Sequence, residues 1–270
     1  MTMTRKNCMQ KIIYAITISI TFILSLLLAA CGNKVETDAS KEKVYLVATD
    51  ASYAPFESIN SKNDIVGFDV DVLNAVAKRA GIKIRFINTP WEGVFNTLAT
   101  GDRDLVMSCV TITNERKRSV DFSDPYFEAQ QLIAVPHTSN VTKLSDLKDK
   151  KIGVQNATTG DIVTQRLLGK DNPNIKRFDT MTLALQELLN GGVDAAVGDN
   201  GIIRFFVKQN EAQKIKVLSD PSLVKEFYGY AVKKGNTELI QKLNIGIKAI
   251  KEDGTFQKIY NQYFGQSTQK

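Results

Sequence analysis

Histidine, tryptophan and cysteine are nearly missing from this chain, with one, one and three copies in 270 residues. The single histidine, His137, follows Pro136 in a polar stretch and reads as exposed loop, which leaves a Ser-His-Asp or Cys-His relay without its base. Cys8, Cys31 and Cys109 form no Cys-x-x-Cys pair and have no histidines clustered near them, so neither a zinc centre nor a dithiol motif is encoded. No glycine-rich phosphate loop and no dinucleotide fingerprint occurs either. These gaps predict no cofactor and no metal. They point toward reversible binding rather than covalent chemistry.

What is present begins at the N-terminus. Arg5, Lys6 and Lys11 precede or open an uncharged, mostly apolar run, Ile12 to Ala30, which Leu28-Ala29-Ala30-Cys31 closes. A basic start, an apolar core and small residues at a cut site mark a secretory signal. A plain transmembrane anchor is the competing reading of that run. The cysteine at the cut resembles the lipobox of bacterial lipoproteins. That resemblance implies removal of residues 1–30 and diacylation of Cys31, which would hold the protein in the cell envelope, in the periplasm or on the outer face of the membrane.

With 35 basic and 29 acidic residues the formal charge is +6; loss of Arg5, Lys6 and Lys11, with no acidic residue, leaves +3. That balance is ordinary for a soluble domain and removes most of the case for a nucleic-acid partner. Cys8 leaves too, so Cys109 has no disulfide partner and the exported fold must rest on its core. Residues 31–43 are polar, without hydrophobic period, and read as a flexible lipidated tether.

Beyond the tether, short apolar runs alternate with amphipathic stretches. The pattern predicts strands at Val44–Ala48, Ile82–Ile87 and Asp104–Met107, and helices at Phe68–Ala80 and Gly93–Thr100, stopped by Gly81 and Gly101. After a junction near Phe127–Gln131 it restarts. Strands are expected at Leu132–Val135, Lys151–Val154, Ile175–Phe178 and Ala195–Val197, and helices at Gly160–Leu168, Thr182–Asn190 and about Ile202–Gln209. A late strand, Gly229–Val232, and a long helix, Glu238–Asp253 with Gly254 past its end, could belong to either unit. Two successive α/β units imply two lobes, with ligand sites at the carboxyl ends of strands.

Four places carry residues suited to a small zwitterion. Arg116, in Thr111-Ile112-Thr113-Asn114-Glu115-Arg116, could fork onto a carboxylate with Thr111 beside it; Arg116-Lys117-Arg118 reads equally as a solvated basic turn. Ala157-Thr158-Thr159-Gly160 stands where a helix begins and suits an anion, or simple N-capping. Asp199, in Gly198-Asp199-Asn200-Gly201, could take an ammonium or serve a turn. Tyr53 and Trp91 both follow strands and could face each other across a flat or cationic side chain, or pack in the core, where Phe56 is placed.

In order along the chain, Ala48-Thr49-Asp50, Ala54-Pro55-Phe56-Glu57, Val66-Gly67-Phe68-Asp69-Val70-Asp71, the Thr111–Arg116 run and Val120-Asp121-Phe122-Ser123-Asp124-Pro125-Tyr126 resemble the polar-amino-acid-binding proteins of bacterial ABC importers. The resemblance spans about Val44 to Phe264. It implies a two-lobe periplasmic-binding-protein fold of type II, each lobe a mostly parallel sheet flanked by helices, with ligand in a hinged cleft. Lobe one would comprise 44–128 plus 226–265 and lobe two 129–225. Arg116 with Ser108 and Thr111 would hold the α-carboxylate, Thr159 would add backbone contacts, Asp199 would take the α-ammonium, Tyr53 and Trp91 would flank the side chain, and Asp50 would meet its far end.

The implied partners are a free L-amino acid, a membrane permease and its ATPase, with the protein itself a monomer. Ile152–Gly160 and Leu188–Ala195 are most similar to binders of basic amino acids, arginine, lysine or histidine. Cys109 departs from the usual Gly or Ser, and Gly198 lacks the histidine of glutamine binders. A cystine or glutamine binder remains the alternative within the family, and a dehydratase-like enzyme or a ligand sensor the alternative on the same fold.

Overall fold

The computed structural model describes residues 43–210 and 214–265. The signal segment, Cys31 and the tether up to Glu42 lie outside the described residues. From there the chain runs β1 (Val44–Thr49), a small ribbon of β2 (Ser52–Tyr53), β3 (Glu57–Ile59) and β4 (Ile65–Val66), helix α1 (Phe68–Ala80), β5 (Lys83–Asn88), α2 (Asn96–Thr100), β6 (Leu105–Val106) and β7 (Val120–Phe122). The long β8 (Phe127–Pro136) leads to β9 (Ile152–Gln155), α3 (Thr159–Leu168), β10 (Ile175–Phe178), α4 (Met181–Leu189), β11 (Ala195–Asp199), α5 (Asn200–Gln209) and β12 (Ile215–Leu218). The chain then passes through β13 (Lys225–Tyr228) and β14 (Ala231–Lys233) to α6 (Thr237–Glu252) and α7 (Thr255–Phe264).

Two sheets form two lobes. The first has the order β5-β1-β6-β14-β7 and the second β10-β9-β11-β8-β12, with β13 paired to β8 beside it. Both are mixed rather than mostly parallel. β1 runs parallel to β5 and β6, and β9 parallel to β10 and β11, as helical crossovers require. β14 instead arrives from the other sheet and lies antiparallel to both β6 and β7. β8, arriving in the opposite sense, is antiparallel to β11 and β12. The first half of β8 pairs antiparallel with β13, so the outgoing and returning chains form one two-stranded connection between the lobes. β14 thus joins the first sheet, and α6 and α7 pack on α1.

Helix α1 matches its expected bounds because Val70, Leu73 and Ala77 share its buried face and Gly81 takes a left-handed φ of 64°, its N–H donating to the Ala77 carbonyl. The stretch from Gly93 differs: tight turns with N–H groups of Val94 and Asn96 on the carbonyls of Trp91 and Gly93 shorten the helix to α2. Helix α7 has no counterpart among the expected elements. Gly254, expected only to end α6, also caps α7 with a left-handed φ of 78°. Its Phe264 ring packs 5.5 Å from Phe56 and 5.1 Å from Phe68. Phe127 and Tyr228, from the two connecting strands, stack at 5.4 Å and lie 5.1 and 5.9 Å from Phe56. This aromatic cluster roots the hinge in the core of the first lobe. Among the described residues no helix is long and apolar enough to cross a membrane.

Gly67 fastens α1 to the ribbon. Its φ is 142°, and a Cβ there would stand 2.1 Å from the Phe56 carbonyl oxygen, which accepts the Asp69 N–H at 3.0 Å. Gly67→Ala should therefore destabilise by at least about 3 kcal/mol. Gly101→Ala, at φ 85° with open space around it, should cost only roughly 1–2 kcal/mol. Urea unfolding of the two variants checks this; equal losses would contradict the close approach.

Candidate functional site

A cavity of about 340 Å³, mouth included, lies between the lobes. All eight residues singled out in the sequence line it: Asp50, Tyr53, Trp91, Ser108, Thr111, Arg116, Thr159 and Asp199. Cys109, Gln155 and Thr158 complete the wall. The reason is topological. Asp50 follows β1, Trp91 follows β5, and Ser108 and Thr111 follow β6, all at carboxyl ends of parallel strands, while Thr159 opens α3 after β9 and Asp199 ends β11. Arg116 starts a short 3-10 turn, Arg116–Arg118, rather than an α-helix.

Arg116 is the one cation among these lining residues. Its Nη1 donates to the Thr111 carbonyl at 2.9 Å and its Nη2 to the Ala157 carbonyl, across the cleft, at 3.3 Å. The guanidinium lies 5.1 Å from the Trp91 ring centroid and 5.4 Å from that of Phe95. Burial pulls its pKa down to about 10, against the charges of Asp199 and Glu226, so it stays charged at neutral pH. Trp91 also spans the cleft, its Nε1 donating to the Asn156 carbonyl at 3.1 Å. Asp50 accepts the Ser52 hydroxyl at 2.8 Å and the Trp91 N–H at 3.2 Å; burial raises its pKa against both bonds.

Asp199 is held from the hinge. The Tyr228 hydroxyl and the Gln131 side-chain amide donate to its two oxygens. Burial, then the nearby charge of Glu226, pushes its carboxyl up to about 6 despite these bonds. Thr158 caps α3 by accepting the Asp161 N–H at 3.3 Å. The remaining N–H groups of the first turn have no intrahelical partner, as at any helix start.

Below the cavity floor sit two fully buried carboxyls. Ser108 donates to Glu57 Oε1 at 2.9 Å and accepts the Asp50 N–H at 3.1 Å, so its hydroxyl is engaged within the protein. Asp69 Oδ2 accepts the Tyr126 hydroxyl at 2.6 Å and the Cys109 N–H at 3.2 Å. Glu57, Asp69 and Cys109 bring ligand-type atoms within 4.8 Å of one another, the one such trio among the described residues. Burial pushes Asp69 to about 7 and Glu57 well above the carboxylate range, Asp69 adding to the latter. Two carboxyls this close disfavour each other's ionisation.

Sequence reasoning missed Gln131, Tyr228 and Glu226, which stand behind the cavity on the connecting strands. Nothing local marks them, since a polar residue in a strand ordinarily faces solvent. Glu57 and Asp69 were visible as parts of motifs, without a role.

The raised carboxyls have a measurable consequence. Asp199 and Asp69 hold protons more tightly folded than unfolded, where aspartate titrates near about 3.9. Their contribution to stability is therefore complete below about pH 4 and lost as pH rises through about 6 and about 7. Asp69→Asn should show a flatter melting temperature between pH 5 and 7.5 than the wild type, in ligand-free protein. Parallel curves would contradict the assignment.

Residues 45–266 match the bacterial extracellular solute-binding proteins, family 3. A probable histidine-binding protein of Neisseria gonorrhoeae is 44% identical over 245 residues, covering 89% of this chain and 91% of its own. A putative ABC transporter arginine-binding protein of Escherichia coli K12 is 35% identical over 88% of this chain and 98% of its own. Among solved structures, the arginine-, lysine-, histidine-binding protein ArtJ of Geobacillus stearothermophilus superposes with a TM-score of 0.80 at 45% identity, covering 84% of this chain and 97% of ArtJ. With its two mixed α/β lobes and a polar cavity between them, the chain belongs to the bacterial extracellular solute-binding proteins of family 3, binding proteins rather than enzymes.

Proposed function

We propose that this protein captures a basic L-amino acid in the cavity between its lobes and delivers it to an ABC permease driven by an ATPase, while Cys31 carries the lipid that holds it in the envelope. The observation that carries this reading is the gathering of all eight residues into one cavity, with Arg116 on the first lobe and Asp199 on the second. Arg116 takes the α-carboxylate, and the start of α3 at Thr159 adds N–H groups, with Ser108 and Thr111 lining the same wall of the cavity. Asp199 takes the α-ammonium, Tyr53 and Trp91 flank the side chain, and Asp50 meets its end.

Charge supports a basic ligand. The site holds one cation, Arg116, with the carboxylates of Asp50 and Asp199 on its wall and Glu226 close by. A neutral zwitterion leaves that excess of negative charge in place, and a cationic one reduces it. The relatives named above for histidine, arginine and lysine point the same way. The lobes are proposed to comprise 44–128 plus 226–265 and 129–225, opening about the β8–β13 connection, so that ligand bridging both half-sites favours the closed form. The protein works as a monomer.

Arg116→Ala and Asp199→Asn should each remain folded and lose roughly 10²–10³-fold in affinity for L-arginine, because each leaves a buried charge of the ligand unpaired. Calorimetry showing either within a few-fold of wild type would remove the assigned role. Cys31→Ser should abolish metabolic labelling by a fatty acid; retained label would refute the anchor.

A further inference from the structure

We propose that Glu226 is a positioning residue that ties the two lobes together around the ligand's ammonium. Glu226 lies on β13, opposite Ala129 of β8, outside the set of residues that line the cavity. Its Oε2 accepts three hydrogen bonds: from the Thr111 hydroxyl at 3.0 Å, the Thr159 hydroxyl at 2.8 Å and the Gln131 amide at 3.2 Å. Thr111 belongs to the loop after β6 in the first lobe, Thr159 to the start of α3 in the second, and Gln131 to the outgoing strand β8. One oxygen of the returning strand therefore joins both lobes and both connecting strands. Separating Thr111 from Thr159 breaks at least one of these bonds, so the carboxylate interacts differently with open and closed forms, as any closing device must.

The direction of the bonds carries a second consequence. Both hydroxyls donate to Glu226, so both threonine oxygens keep only lone pairs for the cavity. Thr159 further accepts the Gln131 amide at 3.1 Å. Such oxygens suit an ammonium rather than a carboxylate. Glu226 thus moves Thr111 from the carboxylate to the ammonium side of the ligand, next to Asp199, whose second bond from Gln131 comes through the same amide. The negative charges of Asp199 and Glu226 both favour the charged form of Arg116.

The inference rests on the amino-acid reading above, and a double-mutant cycle separates the two. The full chain in mild detergent is titrated with L-arginine by calorimetry as wild type, Glu226→Ala, Glu226→Gln, Thr111→Val and the Glu226→Ala/Thr111→Val pair, with a melt of each. Glu226→Ala should bind about ten- to a hundredfold more weakly, the range for losing bonds to a charged group. The pair should fall within about threefold of the weaker single variant, because Thr111 acts through Glu226. Losses that multiply, or a Glu226→Ala protein with unchanged melt and affinity within about threefold of wild type, overturn the proposal. If Glu226→Ala does not fold, Glu226→Gln replaces it in the cycle, and the same outcomes support or overturn the role. A wild type that binds neither L-arginine nor any other amino acid overturns the functional reading itself, and the positioning role with it.

Discussion

The site depends on charges of opposite sign held apart until something bridges them. Arg116 directs its donors to the carbonyls of Thr111 and Ala157, not to a carboxylate, and its ring neighbours Trp91 and Phe95 screen it from water. Asp199 is fixed by Tyr228 and Gln131 on the opposite wall. Each charge is stabilised enough to persist in a poorly solvated cleft, yet neither neutralises the other. In the proposed function, a zwitterion brings the two charges that complete this pairing. The family is one of extracellular solute-binding proteins.

The hinge and the site are built from the same residues. β8 and β13 connect the lobes, and Gln131, Glu226 and Tyr228 on them reach the back of the cavity. Tyr228 stacks on Phe127, which packs on Phe56 in the first lobe, so the strand that holds Asp199 is anchored in the aromatic core. The residues that connect the lobes are thus also neighbours of the cavity. Gly201, just after Asp199, marks the closeness of the lobes: a Cβ there would stand 2.2 Å from the Phe56 ring.

Much of this was legible in the sequence because the cavity-lining residues sit where strands end, and strand ends are marked by local pattern. Asp50, Trp91, Ser108, Thr111, Thr159 and Asp199 each follow an apolar run that periodicity identifies. What periodicity does not carry is the sense in which a strand enters its sheet. β8 and β14 read like any other apolar run, yet they cross between the lobes and lie antiparallel to their neighbours, which makes both sheets mixed. The ribbon β2–β4 escaped because two- and three-residue strands have no period, and α7 because Gly254 ends one helix and opens the next. Glu226 and Gln131 escaped for a different reason. Their role exists only once two distant loops converge on one strand.

The most direct test is to titrate the purified, ligand-stripped protein with each of the twenty amino acids plus ornithine and cystine, reading the heat of binding. Tight binding confined to arginine, lysine, histidine or ornithine is expected. Tight binding of cystine or glutamine instead, with the basic amino acids silent, would contradict it.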